Sequence, residues 1–552
     1  MSFIFRPKLL SSFQNYTSKD LWHDVSAGLT IGIVALPLAM AFAIASGLKP
    51  EAGIYTAIVA GFLISLLGGS KVQIGGPAGA YIIIVYGIVA RYGVHGLVIA
   101  TILAGILLFL MGLLRWGALI RYVPVAIVTG FTNGIAVLIA LSQVKDVLGL
   151  QIQALPSDFF PKIIVIASHI QTISLPTAII SIACLCVLFG WPMLVSKTRL
   201  RIMTYIPGSM IVLIGGTALS VALDLPIATL GTEFGGIPSV LPKISVPHFD
   251  LDTMTHLVRP AITIAFLGAI ESLLCARVAD DIIGEQHDPN QELMAQGIAN
   301  VVAPMLGGYC ATGTIARTVT NVRMGARTPL AGIVHALTLL AILLIAAPLA
   351  KSIPLAVLGA ILIYVAYRMG EWHAFVRLWR YSNFYRLVLL STFVLTVVAD
   401  LSVALEVGLA LSFLFFIARV KSLTRLEPVG EVEYPNESML GREIEMYHVY
   451  GSLFFGTVNI LEELMMPHKS APKILVLSLV NLLNLDTSGV EALGKLQAYM
   501  RGQGKYLLIA GANAQVMSLF KRSHFFDAAG ADKFYETPQD ALSYARGLIG
   551  SM

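Results

Sequence analysis

Two ionisable residues stand inside apolar stretches: Glu271 within Phe266–Leu274, and Arg317 just after Thr312-Gly313-Thr314-Ile315-Ala316. Ionisable groups at membrane depth are costly and by default functional. A carboxyl in such surroundings can carry a proton. Its competing role is structural, paired with a helix end or an arginine. Two glycine-rich stretches add a second kind of chemistry. Gly75-Gly76-Pro77-Ala78-Gly79-Ala80 and Gly307 through Arg317 each put extended backbone before a short helix. Helix N-termini present free N–H groups and about half a positive charge, enough to hold an anion without a large exposed charge. Gly76, Ala78, Gly79 and Ala80 leave the first backbone bare for close approach. Thr312 and Thr314 offer hydroxyl donors, and Ile315 and Ala316 open the second helix. Arg317 falls in its first turn, where a base opposes the helix dipole, so it is not expected to be mere decoration. The competing role is an arginine snorkelling to the cytoplasmic face.

These residues need a membrane to give them meaning, and the composition supplies one. Of the 552 residues, 57% are hydrophobic and 12% charged, against about 25% charged in soluble domains. An ordinary soluble enzyme, a disordered chain and a fibrous repeat are excluded. Lys+Arg 37 against Asp+Glu 32, a net +5, is too mild to imply nucleic acid. Cys184, Cys186, Cys275 and Cys310 lie in apolar stretches, so neither a disulfide framework nor a metal pair is expected. No nucleophile–base pair, nucleotide motif or metal cluster appears, so neither enzyme activity nor a cofactor is expected. The N-terminus does not read as a secretory signal.

Apolar runs fill residues 25–425, and about fourteen of them could enter a bilayer. They lie near 25–46, 52–69, 78–90, 94–114, 122–142, 176–195, 205–223, 258–279, 292–307, 315–325, 330–349, 354–368, 387–400 and 402–420. With residues 1–24 in the cytoplasm, Arg115, Arg121, Lys197, Arg199, Arg201, Arg323, Arg327, Arg368, Arg377, Arg380, Arg386, Arg419, Lys421 and Arg425 all fall inside. The loops 143–175 and 224–256 carry few bases, and an even count places the C-terminus in the cytoplasm too. The two glycine-rich segments are the third of the first seven and the third of the second seven. Interrupted segments at matching positions in two halves point to an inverted-repeat transporter with a midplane site.

Beyond a linker at 426–438, residues 439–552 read as a small α/β domain with a mostly parallel sheet. Strands are expected at Glu445–Tyr450, Ile474–Leu479 and Tyr506–Ala510, with helices at 489–501, 513–521 and 538–548. Gly451–Phe455 is expected to turn into a helix. Thr487 or Ser488 is the expected N-cap of the helix at 489.

At this point the chain resembles the sulfate permease (SulP) family of anion transporters over nearly its whole length. The resemblance rests on Ala35–Phe42 with Pro37, on Gly47-Leu48-Lys49-Pro50 and Gly53-Ile54-Tyr55, and on Gly75-Gly76-Pro77. It continues through Leu267–Leu274, Ala295–Asn300, Thr312–Arg317 and Thr320-Asn321. The tail resembles the STAS domain, with Asp486-Thr487-Ser488-Gly489 at its signature turn. The resemblance implies seven-plus-seven inverted repeats, a core domain moving against a gate domain, and a homodimer in the plasma (inner) membrane. It also implies a role for Arg317 in the anion field, since many members carry an arginine there, and ion coupling at Glu271 and Cys275. Sodium-coupled bicarbonate members carry an aspartate and a threonine at these places, and sulfur is a poor sodium ligand. Ile270-Glu271-Ser272-Leu273-Leu274-Cys275-Ala276 instead resembles members that import C4-dicarboxylates with protons. Leu38 departs from members with a polar residue there, so no coupling role is expected at that position. Ser488 matches a residue phosphorylated in free-standing STAS proteins.

The expectation is therefore proton-coupled uptake of a small inorganic or carboxylate anion, sulfate or a C4-dicarboxylate, by alternating access. A sodium-coupled bicarbonate carrier, an anion exchanger, a channel on the same scaffold and a membrane-anchored regulator are the alternatives. The acidic loop Asp280, Asp281, Glu285 and Asp288 reads as a solvated turn, and His287 and His335 as ordinary isolated histidines.

Overall fold

The first long helix starts where its sequence supplies a cap. Thr17 accepts from the Asp20 backbone N–H, and the Asp20 carboxylate accepts from that of Thr17, a reciprocal box that satisfies two terminal donors. The computed structural model of the chain describes residues 5–13, 16–120, 123–197, 207–240, 242, 244–245, 247, 251–399, 401–429, 443–465 and 472–551. It divides into two compact units, Met1–Leu409 and Ala410–Met552. Arg121, Arg199, Arg201 and residues 430–438 of the expected linker lie outside the described residues.

In the first unit every expected apolar stretch contains a helix. They are α1 (Ser18–Ala45), α2 (Pro50–Leu67), α3 (Ile82–Leu113), α4 (Val125–Leu148), α5 (Leu175–Lys197), α6 (Gly208–Ala222), α7 (Leu251–Ile283), α8 (Pro289–Met305), α9 (Ile315–Arg323), α10 (Leu330–Ala350), α11 (Leu355–Met369), α12 (Asn383–Val398) and α13 (Leu401–Leu423). The last runs past the unit boundary. The third and fourth expected stretches share α3, which breaks at Gly93 (φ 69), a backbone conformation that costs glycine little. Eight helices among the described residues are long and apolar enough to cross a membrane. A ten-residue helix, Phe159–Ser168, lies in the stretch 143–175 expected as a loop.

Two short strands interrupt the helices at the glycine-rich stretches. β1 (Gly75–Gly76) pairs antiparallel with β2 (Thr312–Gly313), Gly75 opposite Gly313 and Gly76 opposite Thr312. Each strand leads into a helix, β1 through a 3-10 turn at Gly79–Tyr81 into α3 and β2 directly into α9. The two strands run toward their following helices in opposite directions.

The second unit carries a sheet of six strands: β3 (Arg425–Pro428), β4 (Ile444–Leu453), β5 (Ile474–Ser478), β6 (Leu482–Leu485), β7 (Tyr506–Ala510) and β8 (Phe534–Tyr535). The order is β3-β4-β5-β7-β8, with β6 beside the far end of β4, and every pairing except β3–β4 is parallel. Helices α14 (Thr487–Gly502), α15 (Ala514–Arg522) and α16 (Pro538–Ser551) cover it. Leu477, Ile509, Leu493, Leu496 and Phe520 form one buried cluster, and Val476, Leu508, Ala541 and Ala545 another.

Three expectations for this unit are corrected. Residues 426–428, assigned to the linker, are an edge strand whose Leu426 lies opposite Val449. Gly451–Phe455 does not turn into a helix: β4 runs on to Leu453 through a register shift at Gly451 (φ 86). The N-cap of α14 is Asp486, whose carboxylate accepts the Gly489 N–H at 2.9 Å, not Thr487 or Ser488. A carboxylate at the cap also meets the positive end of the helix dipole, which a hydroxyl does less well.

Candidate functional site

The site begins with one face of α7. Gly268, Ser272 and Cys275 recur at helical spacing, so they share a face. Each holds a different part of the two crossing segments. The Gly268 carbonyl accepts the Thr312 hydroxyl at 2.9 Å. The Ser272 hydroxyl accepts the Gln73 amide at 2.9 Å. The Cys275 thiol donates to the Thr318 hydroxyl at 3.1 Å, and that hydroxyl accepts the Ile74 N–H at 2.9 Å. Glu271 lies beside this face, with a buried Oε2 that has no hydrogen-bond partner.

Other helices fix the second segment. Asn300 on α8 donates to the Ala311 carbonyl and accepts the Ala311 N–H, both at 2.8 Å. Thr56 on α2 accepts the Tyr309 N–H at 2.8 Å. The Thr314 N–H and hydroxyl both donate to the Ile74 carbonyl, at 2.9 and 3.0 Å. The protons of Thr312 and Thr314, expected as donors to an anion, are thus spent on backbone carbonyls in this conformation. These hydroxyls brace the crossing.

Arg317 is buried within this frame, 3% exposed. Its Nη2 donates to the Pro77 carbonyl at 3.0 Å, while the buried Nη1 has no partner. A side chain at Gly76 (φ 152) would put its Cβ 2.7 Å from that Nη1. The arginine therefore reaches from α9 back to β1 and does not snorkel to a surface. Ile315 and Ala316, at the start of α9, are exposed, whereas Gly76, Ala78, Gly79 and Ala80 are buried. A Cβ at Gly79 would point toward Met369, Ile139 and Phe42, so an apolar wall from α11, α4 and α1 stands opposite the bare backbone.

The crossing thus brings Gly76, Thr312, Thr314 and Arg317 together, and α7 brings Glu271 and Cys275 to the same neighbourhood. Asp486, Thr487, Ser488 and Gly489 belong to the second unit, at the cap of α14.

Sequence reasoning gave no role to Gln73, Thr56, Asn300, Thr318 or Glu292. Glu292 is fully buried and accepts the N–H groups of Gly69 and Ser70 at 2.9 and 3.2 Å and the Gln296 amide at 3.0 Å. It clamps the turn that precedes β1. The rule that singled out Glu271 misses it, because the polar stretch Gly284 through Gln291 precedes Glu292 and hides its burial. Asp24 was passed over too. It is fully buried and accepts from Arg327 N, Thr328 N, Thr328 Oγ1 and the Tyr16 hydroxyl. The acidic loop is structured: Asp280 pairs with His287 at 2.6 Å, Asp288 caps α8, and Glu285 meets Lys71.

This fold is that of a polytopic helical membrane transporter with a C-terminal STAS domain. The sulfate permease family pattern matches residues 21–392 and the STAS domain pattern residues 442–541. The chain belongs to the sulfate permease family and is an anion transporter of that family. It is 38% identical over 529 residues to the putative sulfate transporter YvdB of Bacillus subtilis (strain 168), covering 95% of this chain and 98% of that one. It is 27% identical to the bicarbonate transporter BicA of Synechocystis sp. (strain ATCC 27184 / PCC 6803 / Kazusa), covering 96% and 95%. The murine Solute Carrier 26 family member A9 anion transporter shares its fold (TM-score 0.87, 19% identity, 98% of this chain and 94% of that one). So does the transmembrane domain of a cyanobacterial BicA (TM-score 0.63, 28% identity, 71% and 98%).

Proposed function

We propose that this chain takes up a small anion, sulfate or a C4-dicarboxylate, together with protons, by alternating access. The anion binds where β1 and β2 cross, against the N-termini of the helices that follow Pro77 and Thr314. Arg317 contributes its unpartnered Nη1, and Glu271 carries the proton. The observation that carries this reading is the pair of buried, unpartnered charged-group atoms, Arg317 Nη1 and Glu271 Oε2, on two elements joined at the same crossing. A buried polar atom without a partner costs about 1–3 kcal/mol, more for a charged group, so a bound ligand that pairs it gains that much.

Protons rather than sodium are supported by Cys275. Its sulfur, at the place where a hard oxygen ligand would serve sodium, already donates to Thr318. The relatives named as sulfate and bicarbonate transporters support a small oxyanion. The chain works as a homodimer in the inner membrane with both termini cytoplasmic, and segment 1–24, the membrane domain that follows it and the STAS domain with its edge strand β3 act as distinct parts. Uptake of labelled sulfate, succinate and bicarbonate into proteoliposomes, under imposed proton or sodium gradients, tests the reading. Uptake of bicarbonate alone, driven by sodium and indifferent to pH, overturns it.

A further inference from the structure

His335 lies in the seam between α10 and α2. It is fully buried, and neither ring nitrogen has a hydrogen-bond partner. An imidazole held this way forgoes hydrogen bonds on both nitrogens, which a purely structural side chain does not require. Its setting is built around it. The position a Cβ of Gly61 would take lies 3.5 and 3.6 Å from His335 Cε1 and Nδ1 and 3.2 Å from the Gly75 carbonyl oxygen of β1. One missing methyl group therefore separates the ring from the backbone of the anion crossing. One turn along the same seam the arrangement is reciprocal: Ser65 of α2 stands over Gly332 of α10, and its buried hydroxyl has no partner either.

The surroundings decide what the ring can do. Helix α1 presents Gly28 and Gly32 to α10, α2 presents Gly61 and Ser65, and β1 presents the Gly75 carbonyl. The charged group that reaches the same stretch of backbone is Arg317, which donates to the Pro77 carbonyl two residues on from Gly75. A second cation beside Arg317 is unfavourable while the crossing is empty. An anion at the crossing reverses the sign of the local field. Proton and anion then favour each other's binding by the same factor, as linkage requires.

We propose that His335 is a second proton-binding group, behind the anion crossing, that takes up a proton together with the anion. The proposal rests on the reading of the crossing as the anion site and adds a proton that does not pass through Glu271. A divalent anion then meets two positive groups, Arg317 in front and His335 behind. The gap left by Gly61 is the place where a water can link the ring to Gly75, since it touches polar atoms on both sides.

The test is calorimetry of sulfate and succinate binding to the full chain in detergent, between about pH 5.5 and 7.5, the range in which histidine titrates. It is run in the Glu271→Gln background so that the carboxylate is silent. The expected result is anion binding about tenfold tighter at the acid end, within the usual range of coupling between sites. Proton uptake on binding is read from two buffers of different ionisation enthalpy. Adding His335→Gln or His335→Asn removes both the pH dependence and the proton uptake. Ser65→Ala, on the same seam, keeps both. Retention of the tenfold dependence in the folded histidine variants overturns the proposal, as does its loss in Ser65→Ala, which makes the seam merely structural. If the wild-type chain binds neither anion at any pH, the site reading itself fails and the proposal goes with it.

Discussion

Arg317 Nη1 lies in the space that a side chain at Gly76 would need, 2.7 Å from the Cβ position, although the two residues are 241 apart in sequence. The glycine is thus a condition for the arginine's placement. Its φ of 152 adds a second reason, since L side chains rarely adopt that conformation. Gly76→Ala is expected to strain β1 and push the guanidinium off Pro77, weakening anion binding about tenfold or more while the helices still assemble. Calorimetry on the folded, monodisperse variant checks this, and unchanged affinity contradicts it.

Arg317→Ala should cost more binding than Arg317→Lys, and both should leave expression intact. Lysine restores the charge but not the fork that holds Pro77 and leaves Nη1 free at once. Equal, full binding by both variants removes Arg317 from the site.

Glu271→Gln should sharply reduce accumulation driven by a pH gradient, acid outside, leaving only the part coupled through the His335 proton, while exchange of anion for anion survives. The sign follows from the role: the carboxyl loads a proton on the acid side and releases it on the other, so a gradient of the opposite direction should slow uptake. Sodium-driven uptake that ignores pH contradicts this.

Glu292→Ala should act on stability instead. It strands the N–H groups of Gly69 and Ser70 inside the protein, at about 1–3 kcal/mol each. The melting temperature in detergent should fall, and protein that stays folded should bind anion at close to normal affinity. A variant that melts normally yet binds nothing would move Glu292 into the ligand site.

In the STAS domain, Asp486→Ala should lower stability by about 1 kcal/mol through loss of the helix cap, and also frees the Phe455 N–H. Ser488→Ala should be close to neutral. A fragment of residues 424–552, which keeps β3, should melt higher than one of residues 437–552, which strips that strand from β4. Circular dichroism melts of the fragments decide both points.

The sequence by itself determined the helical segments, the two interruptions and the α/β tail. Those features follow from local composition and period, which act over a few turns of chain. Length and hydropathy mark a span wherever it packs, and closely spaced glycines, with or without proline, favour an interruption. Glu271 and Arg317 stood out for the same local reason. Only the tertiary structure decided what meets what. That Arg317 reaches Pro77, that Gln73 reaches Ser272 and that Thr312 and Thr314 spend their hydroxyl protons on Gly268 and Ile74 depends on contacts between segments far apart in the chain. His335 looked ordinary in sequence because a lone histidine in a helix has no local pattern. Its unpartnered nitrogens and the bare Gly61 beside the ring are set by packing against another helix. The edge strand at 425–428 was missed for a related reason: four residues carry too little periodicity to announce a strand, and pairing with β4 supplies what they lack.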